Sequence, residues 1–252
     1  MLQMNSDNSP LVSIITSTLN AGEHLRQTIQ SIRRQNFRNY EYIIVDGGST
    51  DSTIEIVEHS RDLSTTFISE PDTGIYDAWN KGLRLAKGKY IAFLGAGDGY
   101  FENGLTSMVN CAMANPNAEL ISSRIVFIRN GEMFRITGTA WSWGKFRHHM
   151  VTAHAGSLHS RALFEKYGIF DTSYKIAGDY ELLLRAGKYL QTAYVNEVTV
   201  SMLWGGVSQL NNRCFVESEA AKLKNKAVNR LEAKLDRYVA EIKRAVRTAI
   251  GR

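Results

Sequence analysis

Two kinds of hydrophobic spacing alternate over the first hundred residues. Continuous apolar runs at "LVSIIT" (11–16), "YEYIIVD" (40–46), "TTFISE" (65–70) and "KYIAFL" (89–94) predict strands, the first buried on both faces. Between them, apolar positions return every three or four residues, the period of a helix. "GEHLRQTIQSIRRQ" puts Leu25, Ile29 and Ile32 on one face. "STDSTIEIVEHS" opens a second helix with Ser49 or Thr50 as its cap. "GIYDAWNKGLRLA" (74–86) turns Ile75, Trp79 and Leu83 toward the core. Regular alternation of strand and helix predicts an α/β fold, a parallel sheet with helices on its faces.

Beyond residue 98 the rhythm changes. A helix is expected near 103–114, strands at 118–128 and 132–137, and short helices around 160–167 and 178–188. The stretch 138–156 has little periodicity and is rich in Gly, Trp and His, so a long loop is expected there. From about 210 onward the chain reads as one long helix. Leu223, Val228, Leu231, Leu235, Val239, Ile242, Val246 and Ile250 recur every three to five residues and form one apolar stripe. The expected division is a tail over 1–10, one domain over 11–210, and a basic amphipathic helix over 211–252.

Composition sharpens this picture in three places. A chain of 252 residues with 44% hydrophobic content can build one proper core. Residues 217–252 hold ten Lys/Arg against five Asp/Glu, which is the whole of the net +5, while the first 216 residues carry twenty of each sign. The body therefore gives no electrostatic reason to expect nucleic acid. Cys111 and Cys214 match no metal or redox spacing and read as thiols in a reducing compartment. "MLQMNSDNSP" has neither basic flank nor apolar core, and no apolar stretch approaches the ~20 residues that span a bilayer, so a cytoplasmic location is expected.

Candidate chemistry collects at predicted strand ends. Asp46, Asp72 and Asp98 each follow a strand, and in an open α/β sheet ligands gather outside those ends. Each acid alone reads as a helix cap, whereas three together point to a polar or metal-bound ligand. "KGKYIAFLGAGDGYFENG" sets Asp98 among Gly95, Gly97 and Gly99. "GAGDGY" lacks the third glycine of G-x-G-x-x-G and there is no Walker lysine, which disfavours dinucleotide and P-loop sites. Asp77 and Lys81 are four apart on a helix, so an ion pair and a ligand role stand level. Asp179, opening "GDYELLLR", reads either as an N-cap or as a free carboxylate. His148, His149, His154 and His159 have no acids at ligand spacing.

"SIITSTLNAGEHLRQTIQSI", "YEYIIVDGGSTD" and "EPDTGIYDAWNKGLRLAKGKYIAFL" together resemble the family 2 glycosyltransferases, which have the GT-A fold and use nucleotide-sugars. "FDTSYKIAGDYELLLRAG" resembles their acceptor-side motif, and "WGGVS" (204–208) the end of the catalytic domain in one bacterial subset. The resemblance covers roughly residues 10 to 210. It implies a mixed, mostly parallel sheet with a C-terminal helical extension. It also implies inverting transfer from a nucleoside diphosphate donor, UDP being the favoured nucleotide, to an acceptor hydroxyl in bacterial polysaccharide or lipopolysaccharide assembly. By the same resemblance Thr16, Asn20, Asp46, Asp72, Asp77, Asn80, Lys81 and Asp98 serve the donor, and Asp98 holds Mg²⁺ or Mn²⁺. Asp179 is the base. Lys145, Arg147 and His154 belong to a basic loop over the diphosphate or acceptor. A lipid-linked acceptor would bring the enzyme to the inner membrane surface, so the 211–252 stripe is expected to meet that surface, a second copy, or the domain itself. Two departures stand out: Gly97 occupies a place where an acid often stands, and Gly95 one where the subset often has Asn. They leave room for a non-catalytic sugar-nucleotide-binding or scaffold protein. A nucleotidyltransferase would want a Gly-rich basic loop that "STLNAGEHL" does not supply.

Overall fold

The computed structural model describes residues 9–60, 65–206 and 211–249. Strands β1 (Val12–Thr18), β2 (Tyr40–Asp46), β3 (Thr65–Ser69) and β4 (Tyr90–Phe93) form a parallel half in the order β3-β2-β1-β4. Along β1, Val12 and Ile14 enter one core while Ile15 enters the other, all fully buried, which is why this run shows no polar alternation. Strands β5 (Gly99–Tyr100), β6 (Leu120–Arg129), β7 (Glu132–Thr137), β8 (Ser157–Ser160) and β9 (Thr192–Leu203) complete a nine-stranded sheet. From β4 the order continues β8-β6-β9-β5, with β7 attached to β6. Pairing is antiparallel at β4–β8, β6–β8, β6–β7 and β5–β9 and parallel at β6–β9. The sheet is mixed as expected, with its all-parallel part confined to β1–β4.

Helices cover both faces. α1 (Gly22–Arg33) and α2 (Thr53–Glu58) pack on one side through Leu25, Ile29, Ile32, Ile56 and Val57. α3 (Ile75–Leu85) packs on the other through Tyr76, Trp79 and Leu83. The inward face of α3 thus includes Tyr76 in place of the expected Ile75, which is 39% exposed. α4 (Gly104–Ala114) returns to the first side, while α5 (Trp143–Phe146), α6 (Arg161–Tyr167) and α7 (Gly178–Ala186) join the second. α2 begins later than Ser49 and Thr50 suggest, because both residues are bonded instead to the loop after β1. β8 and β9 lie outside the expected elements. β8 is "SLHS", polar in composition yet buried at all four positions, and β9 is interrupted by a register shift opposite Ser123–Ile125.

The C-terminal segment is two helices, α8 (Arg213–Lys224) and α9 (Arg230–Ala249), and not the single helix expected. Lys226 has φ +52° at the break. Asn229 then starts α9 with a reciprocal cap: its side chain accepts from the Glu232 amide at 2.9 Å and its amide donates to Glu232 Oε2 at 3.0 Å. The apolar stripe is therefore split, with Val228 buried and Leu231 onward on the outside. Ile250 and residues 207–208 of the "WGGVS" stretch lie outside the described residues.

α8 is built into the body by one carboxylate. Glu217 accepts hydrogen bonds from the amides of Lys175, Ile176 and Ala177 at 2.8–3.0 Å, and from Arg213 Nε at 2.6 Å. These amides precede α7, whose own N-cap, Ala177, has no side chain to offer. Burial opposes ionisation of Glu217, but the Ile176, Ala177 and Lys175 amides and Arg213 outweigh it and hold its pKa below the usual range. Glu217→Ala should lower the unfolding free energy by about 2–4 kcal/mol, since charged acceptors leave buried donors unmet when removed. Because the folded pKa is depressed, the Glu217 contribution should be full at neutral pH and vanish as pH falls through that folded value. Urea denaturation of wild type and variant at neutral and acidic pH reads both effects.

Candidate active site

The loops after β1, β2 and β3 are laced together. Asn20 adopts φ +48°, a conformation asparagine tolerates. Its amide donates to Ser49 Oγ at 2.7 Å and its Oδ1 accepts from the Thr50 amide at 2.8 Å. A Cβ on Gly47 would lie 2.6 Å from Asp72 Oδ2, so only glycine lets the loop after β2 close on the loop after β3. Asp72 Oδ1 accepts from the Gly74 amide at 2.8 Å. Its Oδ2 has no hydrogen-bond donor among the described residues.

Several residues expected at the donor make hydrogen bonds within the protein. Asp46 is fully buried and accepts from Gly48 N at 3.0 Å, Ser49 N at 2.9 Å, Ser69 Oγ at 2.7 Å and Ser49 Oγ, so both oxygens are committed to the loop. Thr16 is fully buried and bonded to Tyr42 Oη at 3.1 Å. Asn80 is sealed between α3 and the segment before α7: its Nδ2 donates to Phe170 O at 2.9 Å and its Oδ1 accepts from Phe170 N at 3.0 Å. All three side chains are buried and bonded within the protein. Asp77 caps its own helix through the Thr73 amide at 3.0 Å. Lys81 Nζ reaches Pro71 O at 2.7 Å, Glu70 at 3.0 Å and Asp77 at 3.9 Å, so for this pair the ion-pair reading holds.

Asp98 sits at the turn between β4 and β5. Thr28 of α1 fixes the turn, accepting from Gly97 N at 2.9 Å and donating to Asp98 O at 2.7 Å. Gly97 has φ +98°, and a Cβ there would lie 2.7 Å from Leu203 Cδ1. Residue 97, where the resemblance leads one to expect an acid, therefore disfavours one here on both counts. The Asp98 side chain is 9% exposed and accepts from Gly95 N at 3.2 Å. Among the described residues no cation pairs with it. Burial pushes its pKa up to about 7, against weaker opposition from the Gly95 and Leu203 backbone. No group of three His, Cys, Asp or Glu that could hold a metal alone exists among the described residues. A lone, desolvated carboxylate nevertheless fits Mg²⁺ or Mn²⁺ chemistry, in which protein often supplies one or two carboxylates and phosphate and water complete the shell.

Asp179 is half-buried at the second position of α7 and is not the N-cap. Its Oδ1 accepts from Tyr180 N at 2.8 Å and lies 3.1 Å from Tyr76 Oη. Burial raises its pKa against those bonds. Tyr76 also reaches Ile176 O at 2.6 Å, and a Cβ on Gly178 would strike its ring at 2.8 Å. Lys175 Nζ donates to Thr73 O at 2.6 Å, tying the Asp179 side of the site to the Asp72 loop. Tyr76, Lys175 and Glu217 were not among the expected site residues. An aromatic at the first turn of α3 carries no signal until its partner, about a hundred residues later, is known.

The basic loop is held by the C-terminal helix. Arg147 pairs with Glu232 of α9 at 3.5 Å and His148 with Asp236 at 3.1 Å, so this stretch is anchored to the C-terminal helix. Lys145 is exposed. His154 stacks on Trp79 at 4.8 Å and Phe93 at 5.3 Å between ring centroids. Burial drops its pKa to about 3, so it is a neutral member of an aromatic cluster and supplies no positive charge.

Asp46, Asp72 and Asp98 lie at or just after the carboxyl ends of strands in a parallel half-sheet, and Asp179 opens α7. Residues 13–169 match the family model described as Glycosyl transferase family 2. The chain belongs to that family. A PGL/p-HBAD biosynthesis glycosyltransferase of Mycobacterium tuberculosis is 31% identical over 206 residues, covering 79% of this chain and 80% of the relative. An uncharacterized glycosyltransferase of Rickettsia typhi is 28% identical over 203 residues, covering 76% and 63%. Among solved structures, Staphylococcus aureus TarS 1–349 with UDP-GlcNAc superposes with TM-score 0.71 at 15% identity, covering 89% of this chain and 70% of that one. A Pyrobaculum calidifontis mannosyltransferase with GDP-Man and Mn²⁺ gives TM-score 0.63 at 19% identity, covering 99% and 82%. The fold is GT-A, and the protein is a glycosyltransferase.

The raised pKa of Asp98 has a measurable sign. Between its ordinary value of 3.8 and about 7 the folded glycosyltransferase holds a proton that the unfolded chain has lost. Stability should therefore fall as pH rises through that window, by at most about 4 kcal/mol at 1.36 kcal/mol per pKa unit. Asp98→Asn should remove this part of the slope. Thermal melts of both proteins from pH 4 to 8 compare the two profiles.

Proposed function

We propose that this glycosyltransferase moves a sugar from a UDP-linked donor to a hydroxyl of a glycan or glycolipid acceptor, with inversion at the anomeric carbon. The observation that carries the reading is Asp179, a half-buried carboxylate that is not the N-cap of α7, with one oxygen held and Oδ2 unclaimed among the described residues. The names of the relatives support the substrate class: one acts in PGL/p-HBAD biosynthesis and TarS binds UDP-GlcNAc.

In the proposed step Asp179 takes the proton of the acceptor hydroxyl. The acceptor oxygen forms its bond to the anomeric carbon as the bond to the diphosphate breaks, and the diphosphate leaves with that electron pair. Tyr76 suits this proton transfer. Its hydroxyl has one proton and two acceptors within reach, Ile176 O at 2.6 Å and Asp179 Oδ1 at 3.1 Å. Tyr76 and the Tyr180 amide together hold Oδ1, which leaves Oδ2 as the oxygen that takes the proton. On the leaving side, Asp98 would hold the divalent ion, which supplies counter-charge to the diphosphate. Asp72 Oδ2, free of donors among the described residues, is suited to accept an N–H from the nucleotide base.

Asp179→Asn should leave donor affinity near wild type and cut transfer about 10²–10⁴-fold, the usual share of a general base. A thermal-shift screen of UDP-, GDP- and dTDP-sugars first identifies the donor. Donor turnover by both proteins, with Mn²⁺ and with EDTA, then tests the base and the ion. Equal turnover in the variant removes Asp179 from the chemistry.

A further inference from the structure

α9 presents its apolar face away from the body. Leu231, Leu235, Tyr238, Val239, Ile242 and Val246 are 41–78% exposed, while Ala233 on the opposite side is fully buried. At 100° per residue the six fill one sector about 100° wide. The attachments lie outside that sector: Arg237 to Glu219 at 3.3 Å on the opposite side, Asp236 to Lys222 at 2.8 Å and His148 at 3.1 Å on one flank, and Glu232 to Arg147 at 3.5 Å at the sector's edge. The helix is thus docked by its polar face, and its apolar face has no cover among the described residues.

Charge identifies the occupant. Every acid of α9 is already paired: Glu232 with Arg147, Asp236 with Lys222, Glu241 with Arg237 at 2.8 Å. Arg230, Lys234, Lys243 and Arg247 have no acidic partner among the described residues. Lys234 and Lys243 fall on the two borders of the apolar sector, where long side chains extend from an apolar surface toward water. Arg135 of β7 lies near enough to Arg247 for the two charges to repel, which adds to the positive field at that end.

We propose that this face lies on the surface of an anionic phospholipid bilayer, with the apolar sector among the acyl chains and the bordering cations at the headgroups. A second copy would bring the same unpaired cations together. It would also meet Val239 and Val246 at the flanks of the seam, where a two-stranded coiled coil places complementary charges. No helix among the described residues is long and apolar enough to cross a membrane, so α9 would rest in the interface. The proposal stands on α9 alone and does not depend on the donor or acceptor assigned above. It has a consequence for the active site, because Arg147 and His148 flank Phe146, whose carbonyl accepts from Tyr180 Oη at 2.8 Å, next to Asp179. A bilayer holding α9 therefore sets the orientation of the acceptor side.

The test is vesicle flotation of the full chain, with phosphatidylcholine alone and with about one quarter phosphatidylglycerol. Wild type should float with the anionic vesicles at low salt, not with the neutral ones, and should be released by about 0.5 M NaCl. Leu235→Glu/Ile242→Glu, which changes exposed positions only, should keep the wild-type melting temperature and lose vesicle binding at least tenfold. Lys234→Gln/Lys243→Gln should weaken binding several-fold. Wild type that ignores anionic vesicles at low salt overturns the proposal. So does equal flotation of the double-glutamate variant. A dimer in sedimentation that this variant makes monomeric, without vesicle binding by wild type, assigns the face to a second copy.

Discussion

The carboxylate of Glu217 is the constraint on which the acceptor half of the molecule depends. Helix α7 begins without a capping side chain, and three successive amides in front of it face inward. Backbone donors left unmet in such a place cost as much as a lost hydrogen bond each. The chain meets them with an acid some forty residues downstream, which requires α8 to lie across the start of α7. Two results follow from one contact. Asp179, the acid nearest the helix start, holds the Tyr180 amide with Oδ1 and keeps Oδ2 unclaimed among the described residues. The C-terminal helices become part of the body whose chemistry they flank.

The same accounting of donors separates the acids of the site into two kinds. Asp46 receives four hydrogen bonds and Asp51 is held by the Thr53 hydroxyl and amide. Such carboxylates act as knots in the loops. Asp98 and Asp179 receive fewer bonds than their burial demands, and desolvation raises the pKa of both. An under-satisfied buried carboxylate is one that gains by taking a proton or a cation. In this glycosyltransferase Asp98 at the end of β4 and Asp179 at the start of α7 are both of that kind.

What could be read in advance was what local pattern controls. β2 and β7 have the predicted bounds, and β1, β3, β4 and α1 differ at their ends by one or a few residues, because strands buried on both faces and a helix with Leu25, Ile29 and Ile32 in register carry their own signal. β8 carries none, since "SLHS" is buried only because β4 and β6 lie on either side of it. β9 loses its alternation at the exposed pair Asn196 and Glu197, where the register shifts. The site was legible in position and less so in role. Asp98 and Asp179 stand where strand end and motif put them. Asn80, by contrast, looks like a ligand until Phe170 is seen to take both ends of its amide, a partnership ninety residues apart. Arg147 and His148 looked like a loop over the diphosphate until α9 supplied their acids.

The missing second acid beside Asp98 follows from the same geometry. At φ +98°, with the Leu203 side chain against it, residue 97 can be nothing but glycine without moving β9 or the turn. Leu203 ends β9 at the place where the turn must close, and Thr28 bonds both Gly97 and Asp98 from the other side. The turn is therefore tight, and tightness buries the one carboxylate it retains. A pair of acids in so dry a place would repel, and one would keep its proton. A single acid avoids that conflict and leaves one negative charge to be balanced. Loss of the neighbouring acid and the high proton affinity of Asp98 are thus one structural choice.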